Sequence, residues 1–274
     1  FETLKKEIED LEKEGVRSLT VISQDTSMYG KDIGLSLTDL VKEIVKHKGF
    51  DFVKLMYLYP DEVDDSLIEL FSQNSNLTPY FDLPVQHFSD PVLRRMGRRG
   101  TEQDIIDLIH KFKERVPNSV LRTTIMVGFP KETDADIEEC LKQMKEIRFD
   151  HLGCFMYSPE EGTPGAKMDG QIDAKTKRKR YNQIMKEQKK ISYALNKERI
   201  GSEVTCLITE YDESDFSYKC ICNLYAPDDV DGGLKLYSKI PLVPGDLVKA
   251  KIVNAFFYDL EGEVIELIRH EETN

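Results

Sequence analysis

Strand-like and helix-like runs alternate along the first 199 residues of this 274-residue chain, and this alternation limits its fold more than any other feature. The strand-like runs are 17–24, 51–59, 80–87, 119–128 and 149–157. The helix-like runs are 1–14, 36–47, 62–73, 101–116, 133–147 and 173–199. Strands that alternate with helices predict a parallel sheet with right-handed crossovers. Because the chain opens on a helix and Phe1 is not an initiator methionine, we expect an α/β fold, a partial (βα)6 barrel whose first strand precedes Phe1.

Short alternating runs separated by turn signals follow Gly201. The five runs are Val204 to Thr209, Tyr218 to Asn223, Leu234 to Tyr237, Leu247 to Asn254 and Glu263 to Ile268. Turns are predicted at Asp231-Gly232-Gly233 and at Pro244-Gly245-Asp246. Five short strands over about 70 residues predict a small, all-β, OB-like barrel. We therefore expect two domains, 1–199 and 200–274, joined by the long helix at 173–199.

The net charge of the chain is −12, and it is distributed unevenly. Residues 1–199 carry 32 Lys and Arg against 35 Asp and Glu, whereas residues 200–274 carry 6 against 15, a net charge of −9. This excess of acid argues against a generic nucleic-acid binder, which needs a basic surface. No run of about 18 apolar residues is present, so no membrane span is predicted.

The five cysteines stand at positions 140, 154, 206, 220 and 222. Their odd number and irregular spacing favour free thiols in a reducing cytoplasm over a disulfide framework. Alternation along a strand would point Cys220 and Cys222 to one face, but we do not expect this pair to hold a metal.

Polar or glycine-rich residues follow every predicted parallel strand, at the edge where a parallel barrel has its active site. They are Gln24-Asp25-Thr26, Tyr57 to Tyr59, Gln86-His87, Val127-Gly128-Phe129-Pro130 with Glu132, and Tyr157-Ser158. The turn at Gly128 either lets the backbone approach a flat ligand or is only a tight turn, and the sequence leaves both open. A P-loop, a GxSxG elbow and an HExxH motif are all absent, so ordinary hydrolysis has no support.

Two further features have a structural interpretation. The basic run Lys175, Lys177, Arg178, Lys179 and Arg180 could contact RNA, but its residues spread around a helix, which favours a solvated face. His151 would begin a strand, and we expect a structural role for it.

Several sequence strings carry a resemblance to a known family. They are Ser23–Thr26 with Tyr29-Gly30, Asp82–His87 with Met96–Arg98, Leu121–Thr133, Phe149–Gly153, and Tyr157–Pro164. Together they resemble the radical S-adenosylmethionine (SAM) methylthiotransferases, and Ala226–Gly232 with Pro244–Asp246 resembles that family's TRAM domain. Gln86–Ser89 and Asp150–Gly153 are similar to the branch that modifies a ribosomal protein (the RimO type) rather than tRNA.

The resemblance implies methylthiolation of the β-carbon of an aspartate in a small-subunit ribosomal protein. It also implies two [4Fe–4S] clusters, S-adenosyl-L-methionine as the source of a hydrogen-abstracting radical and of a methyl group, and a reductant such as flavodoxin or ferredoxin. The CxxxCxxC motif that holds the radical cluster in this family is absent, as are the N-terminal domain and its three cluster cysteines. We therefore expect the chain as given to be catalytically inactive and to supply no metal ligand.

The family's cofactor-binding positions transfer one at a time. Gln24 falls near the methionine moiety, and Gln86 and Arg122 fall where polar side chains meet the ribose and the carboxylate. Val127, Gly128, Phe129 and Tyr157 fall where the backbone frames the adenine. We expect no acid–base pair, because radical chemistry mainly requires positioning and exclusion of water.

Two other functions remain open from the sequence. One is a tRNA adenosine methylthiotransferase, and the other is a non-catalytic RNA-binding or ribosome-binding adaptor that uses the OB-like tail. The acidic tail distinguishes these RNA-directed functions from modification of a ribosomal protein, since it would repel phosphates but attract a basic protein. We expect Asp228, Asp229 and Asp231 to form an exposed docking surface for that protein.

Overall fold

Five parallel strands form the first part of the molecule. A computed structural model of the chain describes residues 1–227 and 230–271. The strands are β1 (Ser18–Val21), β2 (Phe52–Leu55), β3 (Leu77–Gln86), β4 (Val120–Val127) and β5 (His151–Met156). They pair in chain order, β1-β2-β3-β4-β5, and every pairing is parallel. The predicted parallel sheet is therefore confirmed, and all five carboxyl ends lie at one edge.

The described residues form seven α-helices, of which the first precedes β1 and the others connect or follow the strands. They are α1 (Glu2–Lys13), α2 (Leu37–Ile44), α3 (Asp65–Gln73), α4 (Asp90–Arg95), α5 (Glu102–Arg115), α6 (Asp134–Ile147) and α7 (Ala174–Glu198). Capping boxes begin α5 and α6. The side chains of Thr101 and Thr133 accept from the amides of Asp104 and Asp136, and the carboxylates of these aspartates accept from the backbone amides of the two threonines. In the described part of the chain, no helix has the length and apolar character needed to cross a bilayer.

The core lies between the sheet and its helices. Along β4, Leu121, Ile125 and Val127 are fully buried in it, whereas Arg122 and Met126 alternate with them and are only partly buried. Three aromatic rings tie helices to the sheet: Phe81 lies 4.5 Å from Phe71 and 3.8 Å from Phe112, measured between ring centroids. The opposite face of β4 is therefore free to carry polar groups.

Five further strands close into a small barrel after α7. They are β6 (Glu203–Asp212), β7 (Ser217–Ile221), β8 (Leu234–Tyr237), β9 (Leu247–Ala255) and β10 (Leu260–Arg269). Their order around the barrel is β10-β8-β7-β6-β9, with β8 and β10 parallel and the other pairs antiparallel. The predicted closed five-stranded barrel is confirmed, and its interior is apolar.

The small barrel contacts the sheet near the amino ends of the parallel strands. His151 Nε2 lies 2.7 Å from the Leu224 carbonyl oxygen, and Lys54 Nζ donates to the Tyr225 carbonyl at 2.5 Å. Arg269 donates to both carboxylate oxygens of Asp51, at 2.9 and 2.6 Å. The carboxyl ends of the strands lie at the other edge and are not covered by these contacts.

Candidate functional site

Three neighbouring parallel strands end on residues with left-handed backbone conformation. The φ angle is +58° at Tyr57 after β2, +70° at Gln86 at the end of β3 and +79° at Gly128 after β4. Only glycine adopts this conformation without strain, and strained non-glycine residues concentrate at functional sites. Two such residues beside a glycine at one edge make this edge the candidate site, in agreement with the sequence prediction.

Asp82 on β3 holds the backbone at Tyr57. Its carboxylate Oδ2 accepts from the Tyr57 amide at 3.0 Å, and its own carbonyl accepts from the Leu58 amide at 3.0 Å. The Tyr57 carbonyl in turn accepts from the Thr26 amide, at 3.2 Å, in the loop after β1. Backbone and carboxylate bonds thus join the ends of three strands. The Tyr57 side chain itself stays exposed.

A buried carboxylate holds the turn at Gly128. Both carboxylate oxygens of Glu132 accept from the Gly128 amide at 2.9 Å, and Arg180 Nη1 on α7 donates to Glu132 Oε1 at 2.9 Å. His87 Nε2 lies 3.4 Å from Glu132 Oε2. Because the Ser89 amide donates to His87 Nδ1, Nε2 carries the ring proton and faces the carboxylate. The turn is therefore held by a buried network of charged and polar side chains.

The ends of β4 and β5 meet at Tyr157. The Tyr157 amide donates to the Val127 carbonyl at 2.8 Å, and Lys177 Nζ on α7 donates to the Tyr157 carbonyl at 2.6 Å. The Tyr157 ring lies 4.8 Å from the Phe129 ring in an edge-to-face arrangement. The structure thus brings Val127, Gly128, Phe129 and Tyr157 together at the candidate edge, where the first three are buried and Tyr157 is half-buried.

The other predicted cofactor residues are placed differently. Gln24 is exposed and lies three residues beyond the end of β1, and Gln86 is half-buried at the end of β3. Arg122 lies near the amino end of β4, away from the strand ends. Its Nη1 donates to Asp82 Oδ1 at 2.9 Å, and its Nε donates to Asp231 Oδ1 at 3.1 Å. Arg122 therefore reaches the candidate edge through Asp82.

Two expectations about charged residues are wrong. Asp231 is not an exposed docking residue, because its side chain is 6 % exposed and is bonded by Arg122 and by the Tyr80 hydroxyl. Arg180 is not on a solvated face, because its guanidinium is buried against Glu132 and Asp134. In both cases a buried partner of opposite charge offsets the cost of removing the ion from water. Asp228 and Asp229 lie outside the described residues.

Burial and neighbouring carboxylates shift the pKa values of Arg122 and Tyr80. Burial alone would lower the pKa of Arg122, but the carboxylates of Asp231 and Asp82 raise it above its usual value. Burial and the Asp231 charge raise the pKa of Tyr80 in the same cluster. Arg122 is charged and Tyr80 is neutral across the physiological range.

The cysteines are dispersed over both parts of the molecule. Burial raises the pKa of Cys140, and raises that of Cys154 to about 12, so neither thiol ionises readily. Cys206 and Cys222 lie in the apolar interior of the small barrel, with Cys220 packed against it. Across residues 1–227 and 230–271, no three His, Cys, Asp or Glu side chains are grouped to hold a metal.

Some contributors to the site were not predicted. Asp82 could have been identified from the sequence, since a carboxylate inside an apolar strand requires a buried partner. Lys177 and Arg180 gave none, because their partners lie 20 and 48 residues away in sequence.

Comparison with known proteins gives the same family as the sequence strings. The sequence profile of the Radical SAM superfamily matches residues 1–144. The protein named ribosomal protein uS12 methylthiotransferase RimO from Geotalea uraniireducens is 41 % identical over 268 residues, which are 97 % of this chain and 59 % of that protein. The protein of the same name from Clostridium botulinum (strain Eklund 17B / Type B) is 41 % identical over 266 residues, 96 % of this chain and 59 % of its own length.

A solved radical SAM enzyme, coproporphyrinogen III oxidase (HemN) from Escherichia coli, overlaps 57 % of this chain and 37 % of its own, with a TM-score of 0.47 and 18 % identity. The chain spans about three fifths of the length of the curated relatives it matches. Since the superfamily profile covers more than half of the chain, the chain belongs to the radical SAM superfamily.

Proposed function

We propose that this chain is the SAM-binding and substrate-docking part of a methylthiotransferase that modifies an aspartate of ribosomal protein uS12. The observation that carries the proposal is the identity of 41 % along 97 % of the chain with a relative of that name. The left-handed strand ends at Tyr57, Gln86 and Gly128 support it locally, since strained backbone at neighbouring strand ends is typical of a functional site.

We propose that the residues at this edge bind SAM. We propose that the backbone from Val127 to Phe129 frames the adenine beside Tyr157, that Gln86 meets the ribose or the carboxylate, and that Gln24 lies near the methionine moiety. A flat base needs close backbone approach, so Lys177, which packs against Gly128, would have to move aside for the base to reach this backbone. When bound, SAM supplies the means of hydrogen abstraction and a methyl group. The chain's own residues position it and exclude water.

We retain Arg122 among the predicted cofactor residues. Its ion-pair partner Asp82 holds the Tyr57 amide at the site edge, so Arg122 is linked to the site even though its guanidinium lies nearer the amino ends of the strands. A change at Arg122 should therefore alter cofactor affinity.

The cysteines of this chain do not fit the two [4Fe–4S] clusters of the family. A cluster takes several thiolates around one centre, whereas Cys140 and Cys154 belong to the sheet's core and the other three to the small barrel. We therefore propose that the chain alone is inactive.

We propose that the sheet with its helices, residues 1–199, is the radical SAM domain and part of a (βα)6 barrel, and that residues 200–274 are the TRAM domain. The strand order and the parallel β8–β10 pair support an OB-like barrel. The family's reductant, flavodoxin or ferredoxin, would act outside this chain. Free thiols fit the cytoplasm.

A hybrid protein tests this function. The chain would be joined to the part of the Geotalea uraniireducens relative that it does not match, reconstituted with clusters, and given SAM, a reductant and either uS12 or tRNA. We expect mass spectrometry to find a methylthio group on an aspartate of uS12 and none on the tRNA. Modification of tRNA alone would instead support the tRNA methylthiotransferase.

A further inference from the structure

A continuous chain of charged hydrogen bonds runs from the small barrel to the candidate site. Asp231, which precedes β8, accepts from Arg122 Nε at 3.1 Å. Arg122 Nη1 donates to Asp82 Oδ1 at 2.9 Å, and Asp82 Oδ2 accepts from the Tyr57 amide at 3.0 Å. Three side chains therefore connect a loop of the small barrel to the backbone that follows β2.

The three side chains are shielded from solvent. Their exposed fractions are 0 % for Asp82, 13 % for Arg122 and 6 % for Asp231. Hydrogen bonds between ions are stronger in such surroundings than in water, and loss of one partner leaves the other charge buried and uncompensated. Each member of the chain thus depends on its neighbours for its position.

The series of hydrogen bonds ends at a strained residue, Tyr57. Tyr57 holds φ at +58°, a conformation that costs a non-glycine residue free energy and persists only when its surroundings impose it. Asp82 supplies that constraint by accepting from both the Tyr57 and Leu58 amides. If the Asp82 carboxylate turned away, the Tyr57 amide would lose its acceptor.

The position of Arg122 between two carboxylates makes its orientation depend on Asp231 of the small barrel. Arg122 is shared between two carboxylates, and the Tyr80 hydroxyl, donating to Asp231, fixes the outer one. Without Asp231 the guanidinium keeps only Asp82 of the two and is free to rotate about it. The Asp82 carboxylate is then no longer held in the orientation in which it accepts from the Tyr57 amide.

We propose that Asp231 is a positioning residue of the radical SAM site: by fixing Arg122 and, through it, Asp82, it holds Tyr57 in the left-handed conformation. The contact between the small barrel and the sheet is thereby part of the site, and an event that moves the small barrel changes the shape of the site. This inference rests on the proposed function only in taking this edge as the place where SAM binds.

Amide hydrogen exchange measured by NMR on the full chain tests the proposal without ligand. In Asp231→Asn, we expect exchange at Tyr57 to be faster by about tenfold or more, because its amide donates to the Asp82 carboxylate, whose support is weakened. The Val53 amide, which donates to the Asn76 carbonyl at 2.8 Å, is the internal reference and should be unchanged. Unchanged Tyr57 exchange in a folded Asp231→Asn protein would overturn the proposal.

Two further variants make the test specific. Tyr80→Phe removes only the hydroxyl that donates to Asp231, and it should raise Tyr57 exchange in the same direction by a smaller factor. Asp246→Asn is the matched control, because Asp246 is also a buried carboxylate of the small barrel but bonds only within the last part of the chain. Faster Tyr57 exchange in Asp246→Asn would contradict the proposal. Unchanged Tyr57 exchange in both Tyr80→Phe and Asp231→Asn would contradict it as well.

Addition of SAM separates this inference from the proposed function. If SAM slows Tyr57 exchange in the unmodified chain, the edge binds the cofactor, whatever Asp231 does. If Asp231→Asn speeds exchange but SAM protects nothing, the positioning role holds and the assignment of the site is wrong.

Discussion

Gly128 has a neighbour packed directly against its α-carbon. A Cβ built there would lie 2.3 Å from Lys177 Cγ, so the lysine that donates to the Tyr157 carbonyl would have to move. We expect Gly128→Ala to weaken SAM binding by about tenfold, because the surface formed by Gly128 and Tyr157 would be disrupted. Calorimetry with the chain and SAM measures this.

Gly162 offers the matched control for that experiment. It also has positive φ, at +86°, but a Cβ there would meet nothing within 4 Å. Gly162→Ala therefore introduces the same backbone strain without a clash. An equal loss of affinity in both variants would mean that strain, rather than the Lys177 contact, governs binding.

The five thiols predict the outcome of cluster reconstitution. Because they are dispersed between two cores, we expect anaerobic reconstitution with iron and sulfide to leave no absorbance near about 400 nm after desalting. A variant with all five cysteines replaced by serine gives the background. A stoichiometric cluster that depends on Cys206, Cys220 and Cys222 would contradict this prediction.

At the scale of elements, the amino end of β5 carries a pH-sensitive contact. Burial lowers the pKa of His151 below the usual value for histidine, about 6.5, and the neutral ring donates from Nε2 to the Leu224 carbonyl. The unfolded chain therefore binds a proton at higher pH than the folded chain does. The contribution of His151 to stability is full above about pH 6.5 and is lost as the pH falls toward its folded pKa.

His151→Gln removes this titration but keeps an N–H donor near the Nε2 position. We expect its free energy of unfolding to fall less than that of the unmodified chain between about pH 7 and pH 5, measured by urea titration. His110→Gln, at an exposed histidine of α5, is the control variant. Identical slopes for all three proteins would assign the pH dependence to other groups.

The elements were largely predictable because period and capping agree in this sequence. α4 was missed because six residues are too few to establish a helical period. β3 begins at Leu77, three residues before the predicted start at residue 80. Pro79 lies among the added residues, near the beginning of the strand, where proline is tolerated.

At the scale of the whole molecule, charge is concentrated in the small barrel. We expect Asp228→Lys with Asp229→Lys to slow association with uS12 and to flatten its salt dependence, since a basic partner is steered by the net charge of −9 over residues 200–274. Stopped-flow measurement at several salt concentrations tests this.

Glu7→Lys with Glu14→Lys, at exposed positions in and just after α1, changes the net charge by the same amount and is the control. If this pair slows association equally, the overall charge matters and its location does not. Association at the unmodified rate in the Asp228 and Asp229 variant at low salt would remove the small barrel as the docking surface.

Contacts between distant parts of the chain set the limit of sequence-based prediction. The strand ends could be identified one by one, because each follows its own apolar run. Arg122 and Asp231 are 109 residues apart, and neither position carries a periodic signal that would pair them. An acidic turn before two glycines fits an exposed loop as well as a buried ion pair, so the local pattern could not decide between them.

The order of the parallel sheet has a consequence for folding during synthesis. Each strand pairs with the one before it in the chain, so a strand that leaves the ribosome finds its partner already present. Each step closes only the single crossover connection between neighbouring strands, which limits the entropic cost of pairing. The bond from Arg122 to Asp231 can form only after a further 109 residues have been made. The sheet therefore assembles progressively, and the closing of the small barrel against it is the last event.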